Sequence, residues 1–165
     1  MPSVKTWSGL ENALRQSTKY AMKYVGDTVK RVLIDSTKRM WYSQSNPTMY
    51  ERTMDILNSI TVENVTVSKN VYNARVYFDI DKIRQVEIPG NWNQHMSVDG
   101  DTQFEGRRIS SWVVEWISYG QNSPLYSYEG GGHIQATQEY AKDEAVYLIE
   151  EALAKAGINC IVIKK

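Results

Sequence analysis

The feature that most constrains this chain is a hydrophobic period of 3.6 residues sustained from residue 8 to residue 41. Leu10, Ala13, Leu14, Ala21, Tyr24, Val25, Val29, Val32, Leu33 and Met40 fall on one stripe, as an amphipathic helix requires. Ser8 and Glu11 have the spacing of a capping box, in which each side chain satisfies an orphan backbone donor. Gly26-Asp27 interrupts the run, yet the stripe resumes in phase beyond it. The reading is one long helix over 8–41, kinked at the glycine. At 1.5 Å per residue such a helix is about 50 Å long. That overhangs the globule that 165 residues can form. Part of the helix is therefore expected to pack on something outside its own domain.

Ser43-Gln-Ser-Asn-Pro47 stops this helix, because a proline and the residue before it disfavour its continuation. A short helix over about 48–58 follows, with Tyr50, Met54 and Leu57 on one side. Residues 60–67 and 71–80 are rich in Val, Ile, Thr and Tyr and alternate with polar residues. Joined at Ser68-Lys69-Asn70, they predict an antiparallel hairpin over 60–80. Residues 84–88 read as a further short strand. The segments 81–106 and 120–136 hold turn formers without a period and read as two long loops, which in compact domains tend to be functional. Between them Ile109, Trp112, Val113, Trp116 and Ile117 fit a short buried helix, while residues 111–118 also fit a strand. A C-terminal helix over 137–156 turns Tyr140, Ala141, Ala145, Leu148, Ile149, Ala152 and Leu153 inward. Gly157 suits its left-handed cap, and 158–163 is a final strand. The sum is a single α+β domain over 1–165, a small, mostly antiparallel sheet packed against the long N-terminal helix and the C-terminal helix.

Charge narrows the function. The chain carries 19 Lys+Arg and 19 Asp+Glu, and zero net charge argues against a dedicated nucleic-acid binder. The zero is a cancellation: residues 1–42 hold 8 basic and 3 acidic side chains, and residues 79–105 hold 2 basic and 6 acidic. Arg15, Lys19, Lys23 and Lys30 fall roughly on one stripe of the first helix, with Arg31 next to the last. Such a stripe reads as a solvated face, or as one that meets DNA phosphates or an acidic neighbour. Asp99, Asp101 and Glu105 of another copy form such a neighbour, and head-to-tail contacts between unlike patches close into rings. There are 11 Tyr and 5 Trp but only 2 Phe, a bias toward aromatics that suit surfaces buried on assembly. The longest apolar run, 145–149, is far too short for a membrane span. Residues 1–20 lack the apolar stretch of a signal peptide, so synthesis inside the cell is expected.

Candidate chemistry is sparse. The single cysteine, Cys160, rules out a disulfide framework and sits in the apolar segment 158–163, where a buried thiol is inert. Asp99-Gly100-Asp101 with Glu105 and His95 is the best metal candidate, since hard cations favour clustered oxygens. It lacks the EF-hand pattern, and acidic residues beside glycine are ordinary turn chemistry. A small metal-dependent hydrolase on His95, Asp99 and Asp101 is the enzymatic rival. Asp79 and Asp81 alternate off a strand end and share a face, but their spacing in sequence picks out no chemistry. His133 follows Gly130-Gly131-Gly132, a turn able to offer N–H groups to an anion, but the Lys-Ser/Thr of a phosphate loop is missing. A flexible loop is the plainer account. No catalytic, cofactor-binding or metal-ligating residue is assigned, and no cofactor.

Four stretches, in order, carry a resemblance. They are the Lys/Arg-dotted first helix; Pro47-Thr-Met-Tyr50-Glu-Arg52-Thr53-Met-Asp-Ile-Leu57-Asn-Ser59-Ile60; Asn91-Trp92-Asn93-Gln94-His95-Met96 with Asp99-Gly100; and Trp112-Val-Val-Glu115-Trp116-Ile-Ser-Tyr119-Gly120. Together they resemble the tail-completion, or head–tail joining, proteins of tailed bacteriophages. The resemblance implies a non-enzymatic virion protein, made in the host cytoplasm, that forms a ring at the head–tail junction. Its implied partners are copies of itself, neighbouring neck, portal-side and tail-tube proteins, and the genomic DNA in the channel. Pro47, Tyr50, Arg52, Trp92, Trp112 and Trp116 are the expected structural anchors, with Tyr50 and Arg52 fixing the angle between helix and sheet. The alternative is a DNA-binding or packaging accessory protein using the basic face of the first helix.

Overall fold

The computed structural model describes residues 6–43, 54–83, 114, 117–122 and 127–161. The first helix, α1, spans Trp7–Thr37 and passes directly into a π-helical turn, Lys38–Tyr42. Its cap is Thr6, whose hydroxyl accepts from the Gly9 amide at 3.1 Å; Ser8 therefore lies inside the helix and the expected capping box does not form. Gly26 does not break α1. A Cβ at that position would lie 3.0 Å from Val62 Cγ1 and 3.4 Å from Ala74 Cβ, so the glycine lets the hairpin approach the helix axis.

Helix α2, Asp55–Ser59, leads straight into the hairpin. Strand β1 (Ile60–Val62) pairs with β4 (Val76–Phe78), and β2 (Thr66–Ser68) with β3 (Val71–Asn73), both antiparallel. The turn is the two residues Lys69-Asn70, both at positive φ (48° and 65°), the geometry that matches strand twist. The expected hairpin over 60–80 is thus present, but its register slips once. Glu63, Asn64 and Val65 oppose only Ala74 and Arg75, and this extra residue is a bulge that divides a half-buried base from an exposed tip. A 3-10 turn, Ile80–Lys82, closes the second arm; Asp79 caps it by accepting from the Asp81 amide and pairs with Lys82 at 3.3 Å.

Of the region read as two-way, Val114 and residues 117–119 are helical. The segment 120–136, expected as loop, holds β5 (Gly120–Asn122) paired antiparallel with β6 (Ser127–Glu129) and the start of the C-terminal helix. That helix, α3, spans His133–Lys155, four residues earlier than its apolar period begins, because Gly132 at φ 64° turns the chain into it. Its end is as expected: Gly157 at φ 84° is left-handed, its amide reaches the Ala154 carbonyl, and the Ile158 amide reaches Leu153, a full Schellman cap. Residues 158–161 form no strand, as no strand among the described residues pairs with them, and Cys160 is exposed rather than core; residues 162–163 lie outside the described residues.

The core lies against the C-terminal half of α1. Leu33, Leu57 and Ile60 pack together with Ile34, Tyr42, Val76 and Ile134 around them, and Ile56, Ile83 and Ile117 form a second group with Trp41 and Val114. Phe78 touches both groups, so the base of the hairpin joins them. Helix α3 runs antiparallel to α1, from Met40 near its start to Tyr24 near its end, and buries Leu148 and Ala152 in the contact. The architecture is α+β, with a small antiparallel sheet between a long N-terminal and a C-terminal helix. Pro47, Tyr50, Arg52, Trp92, Trp112 and Trp116, the strand read at 84–88 and most of the loop 81–106 lie outside the described residues.

Candidate functional site

The structure places the predicted basic residues along α1, but in unequal states. Arg15 is held by Glu11 one turn earlier, Nη2 to Oε1 at 2.8 Å, and that bond raises the guanidinium pKa further above its usual value. Lys23 pairs with Asp27 at 3.3 Å. Lys19 and Lys30 have no ion pair among the described residues. Arg31 lies off the stripe, donating to the Thr28 hydroxyl at 3.0 Å and the Asp27 carbonyl at 3.4 Å. The i, i+4 spacing of Glu11 with Arg15, and of Lys23 with Asp27, was already in the sequence and halves the charge the stripe can offer.

Lys23, Asp27 and Lys30 line a cleft of about 300 Å³ whose other wall is Asn58, β1, the bulge and Lys82. Lys82 donates to the Thr61 hydroxyl at 2.6 Å in addition to its Asp79 pair. The cleft is polar, with ammonium groups and carboxylates mixed. Tyr24 ties α1 to α3: its hydroxyl donates to Glu151 Oε1 at 3.0 Å, and Lys155 donates to the same carboxylate at 2.7 Å and to the Tyr24 oxygen. The Lys155 bond, then the Tyr24 bond, hold Glu151 below the usual carboxylate range, and the same contacts raise Lys155.

The glycine turn does not offer its amides to an anion. Gly131 and Gly132 donate to the carbonyls of Ile117 and Ser118, at 2.8 and 3.3 Å. A Cβ on Gly130 would lie 2.4 Å from backbone atoms of Tyr119 and Gly120, so this turn is packed. It sets His133 in the interior, with Nε2 3.3 Å from Ser118 Oγ. Ser118 spends its proton on the Val114 carbonyl at 2.6 Å, which makes the imidazole Nε2–H the donor and leaves Nδ1 a bare, buried acceptor. Burial lowers the His133 pKa, since a second proton would have no partner. The Ser–His pair is therefore a structural contact, not a poised nucleophile.

Two surfaces stand out. From residue 10 to residue 16 every α1 side chain is exposed, and Trp7 (85%), Leu10 and Leu14 (46%) form an apolar row clear of α3. Ala21, the next position on that row, is 3% exposed. On the outer side of α3, Glu139, Asp143 and Tyr147 are exposed in a single i, i+4, i+8 row. Regional charge hid this row, because residues 106–165 balance almost to zero while α3 itself holds five acidic and two basic residues. The acidic positions Asp99, Asp101 and Glu105, with His95, lie outside the described residues. Among the described residues no group of three or more His, Cys, Asp or Glu is placed to hold a metal, and no helix is long and apolar enough to cross a membrane.

No curated protein and no solved structure matches the chain. A protein-family comparison does match it, over residues 6–156, which takes in α1, α2, the hairpin and all of α3. On that match the chain belongs to the YomN family.

Proposed function

We propose that the chain is a structural virion protein of a tailed bacteriophage, a ring-forming head–tail connector or tail-completion (neck) component, acting without catalysis or cofactor. The observation that carries this reading is the N-terminal third of α1, which keeps the helix's apolar row but leaves it exposed. A helix end that exposes Trp and two Leu in a row is built to be covered by another molecule. Membership in the YomN family suggests a phage structural or accessory protein, in the same direction. The partners are other copies, the neighbouring neck, portal-side and tail-tube proteins, and the DNA in the channel. Electron microscopy and native mass measurement of the purified chain, alone and with its neck and tail partners, test it: rings are expected. A chain that stays monomeric with every partner supplied overturns the reading.

A second reading, a DNA-binding or packaging accessory protein, has one observation in its favour, Lys19 and Lys30 along α1, which have no ion pair among the described residues. It requires DNA affinity that falls with salt and that Lys19→Glu with Lys30→Glu abolishes; salt-independent binding, or none, excludes it.

A further inference from the structure

We infer that the free edge of β1 takes up an extended peptide segment of a partner protein, which pairs antiparallel with Val62 and sets one carboxylate against Lys30 of α1. This surface is separate from the exposed N-terminal row of α1 and does not depend on the ring.

Strand β1 has β4 on one side and, among the described residues, no strand on the other. The register shows which backbone groups face that open side. Asp79 donates to the Ser59 carbonyl and Glu63 to the Arg75 carbonyl, both at 2.8 Å, so Ser59, Thr61 and Glu63 turn their main-chain groups toward the β4 arm. The residues between them point the other way. The Ile60 amide is taken by the Leu57 carbonyl, but the Ile60 carbonyl and both main-chain groups of Val62 have no partner among the described residues. Ile60 and Val62 border the cleft of about 300 Å³ between β1 and α1, so there is room beside this edge. An unpaired strand edge next to open space is a template for another strand.

Antiparallel addition fixes a side chain as well as the backbone. The residue opposite Val62 exchanges both main-chain bonds with it, and its side chain falls on the same face of the sheet as that of Val62. That face is the one α1 covers, since a Cβ on Gly26 would lie 3.0 Å from Val62 Cγ1. There Lys23, Asp27 and Lys30 line the cleft; Lys23 and Asp27 pair at 3.3 Å, which leaves Lys30 without an ion pair among the described residues. One carboxylate opposite Val62 balances it. Glu63, the cleft's other carboxylate, alternates onto the far face, where Lys82 is already held by Asp79 and the Thr61 hydroxyl, at 3.3 and 2.6 Å. A second copy fits this edge less well. Pairing two β1 edges about a two-fold axis puts both α1 helices on one face of the joined sheet, with their Lys30 side chains opposed, and like charges so placed repel.

The test uses the purified full-length chain and a capped pentapeptide, Thr-Thr-Glu-Thr-Thr, followed by nuclear magnetic resonance. Saturable binding is expected at millimolar peptide, with the Val62 amide newly protected from hydrogen exchange and the Thr61 and Glu63 amides, already bonded to β4, unchanged. Methylating the glutamate nitrogen of the peptide removes the donor to the Val62 carbonyl and is expected to weaken binding about tenfold. Methylating the next nitrogen, which points to solvent, is expected to change it less than twofold. Lys30→Glu is expected to weaken the glutamate peptide and to favour the same peptide with lysine at its centre. Absence of saturable binding overturns the inference, as do equal losses from the two methylations or a Lys30→Glu chain that binds both peptides as the wild type does. Val62 protection that rises with chain concentration and without peptide also overturns it, since a second copy then occupies the edge. Ring formation is read separately, by microscopy with the neck and tail partners, and none of these outcomes decides it.

Discussion

The two ends of α1 obey the same sequence rule and reach opposite fates. Near its C-terminus Leu33 is 6% exposed and Thr37 is fully buried, its hydroxyl donating to the Leu33 carbonyl at 2.7 Å. Near its N-terminus the same helix exposes Trp7, Leu10 and Leu14. A 3.6-residue period states that one face wants cover, but cover is supplied by other elements. At one end α2, the hairpin base and the start of α3 converge on Phe78 and Ile60; at the other, residues 10–16 are all exposed, and among the described residues only the hairpin tip comes near, with Tyr72 close enough to Arg15 to act on its charge. One end is held by the fold and the other is offered to a partner.

The largest effect that breaks this contrast is a core truncation set against the equivalent change on the overhang. Ile60, 1% exposed at the centre of one core group, is expected to cost about 2–5 kcal/mol on Ile60→Ala. Leu14→Ala is expected to stay within about 0.5 kcal/mol, since the removed atoms leave no cavity. Urea denaturation of the two variants under conditions that keep the chain monomeric measures both. A Leu14→Ala loss comparable to that of Ile60→Ala means the overhang is covered within its own subunit, and the contrast disappears.

That comparison also marks what was legible in the sequence. The long helix, the hairpin, the C-terminal helix and its left-handed Gly157 are legible in period and turn chemistry, which act over a few residues; the hairpin's joint, expected at Ser68-Lys69-Asn70, tightens to Lys69-Asn70 because Ser68 still pairs with Val71. The bulge at Glu63–Val65 was not, because it costs one residue in a run that otherwise alternates. Gly26 looked like a break because a glycine's local effect is to weaken a helix; its role is set by Val62, 36 positions away in the chain. The β5–β6 pair hid in a stretch of turn formers, and 158–161 looked like a strand because apolarity was visible and the missing ladder partner was not. For the surface, the basic stripe is legible, but a count of Lys and Arg overstates it, because Glu11 and Asp27 pair with Arg15 and Lys23. The acidic row on α3 does not show in regional charge, because the basic residues elsewhere in 106–165 cancel it.

A smaller effect separates the buried half by pH. His133 has a folded-state pKa below the ordinary value of 6.5 because burial penalises its charge. Below that ordinary value the unfolded chain takes up a proton that the folded chain does not. The His133 contribution is therefore complete above pH 6.5 and is lost as pH falls through and below it. Denaturation midpoints at pH 7.5 and pH 5.5 are expected to fall in the wild type. His133→Gln keeps an amide donor for Ser118 and cannot titrate, so its midpoint is expected to fall less over the same interval. Parallel declines in the two proteins place the acid sensitivity elsewhere, on carboxylates or on His95.

The smallest effect on overall stability is the sharpest for the overhang. An isolated helix shorter than about 12 residues is marginal in water, because nucleation is costly and few bonds repay it. Residues 10–16 are all exposed in their own subunit, so in the monomer this end holds its shape chiefly through the Thr6 cap, the Glu11–Arg15 pair and continuity with the buried part of α1. Thr6→Ala removes the cap, which is worth about 1 kcal/mol, or roughly fivefold in local opening. Hydrogen exchange of amides 9–16 is expected to accelerate by about that factor, while amides beyond Ala21 and the global unfolding free energy stay unchanged, since local and global openings are separate events. In the assembled state the acceleration is expected to vanish, because a subunit packed over Leu10 and Leu14 then holds the helix end in place of the cap. Equal acceleration in monomer and assembly leaves the overhang uncovered in both, and shifts the subunit contact to another face.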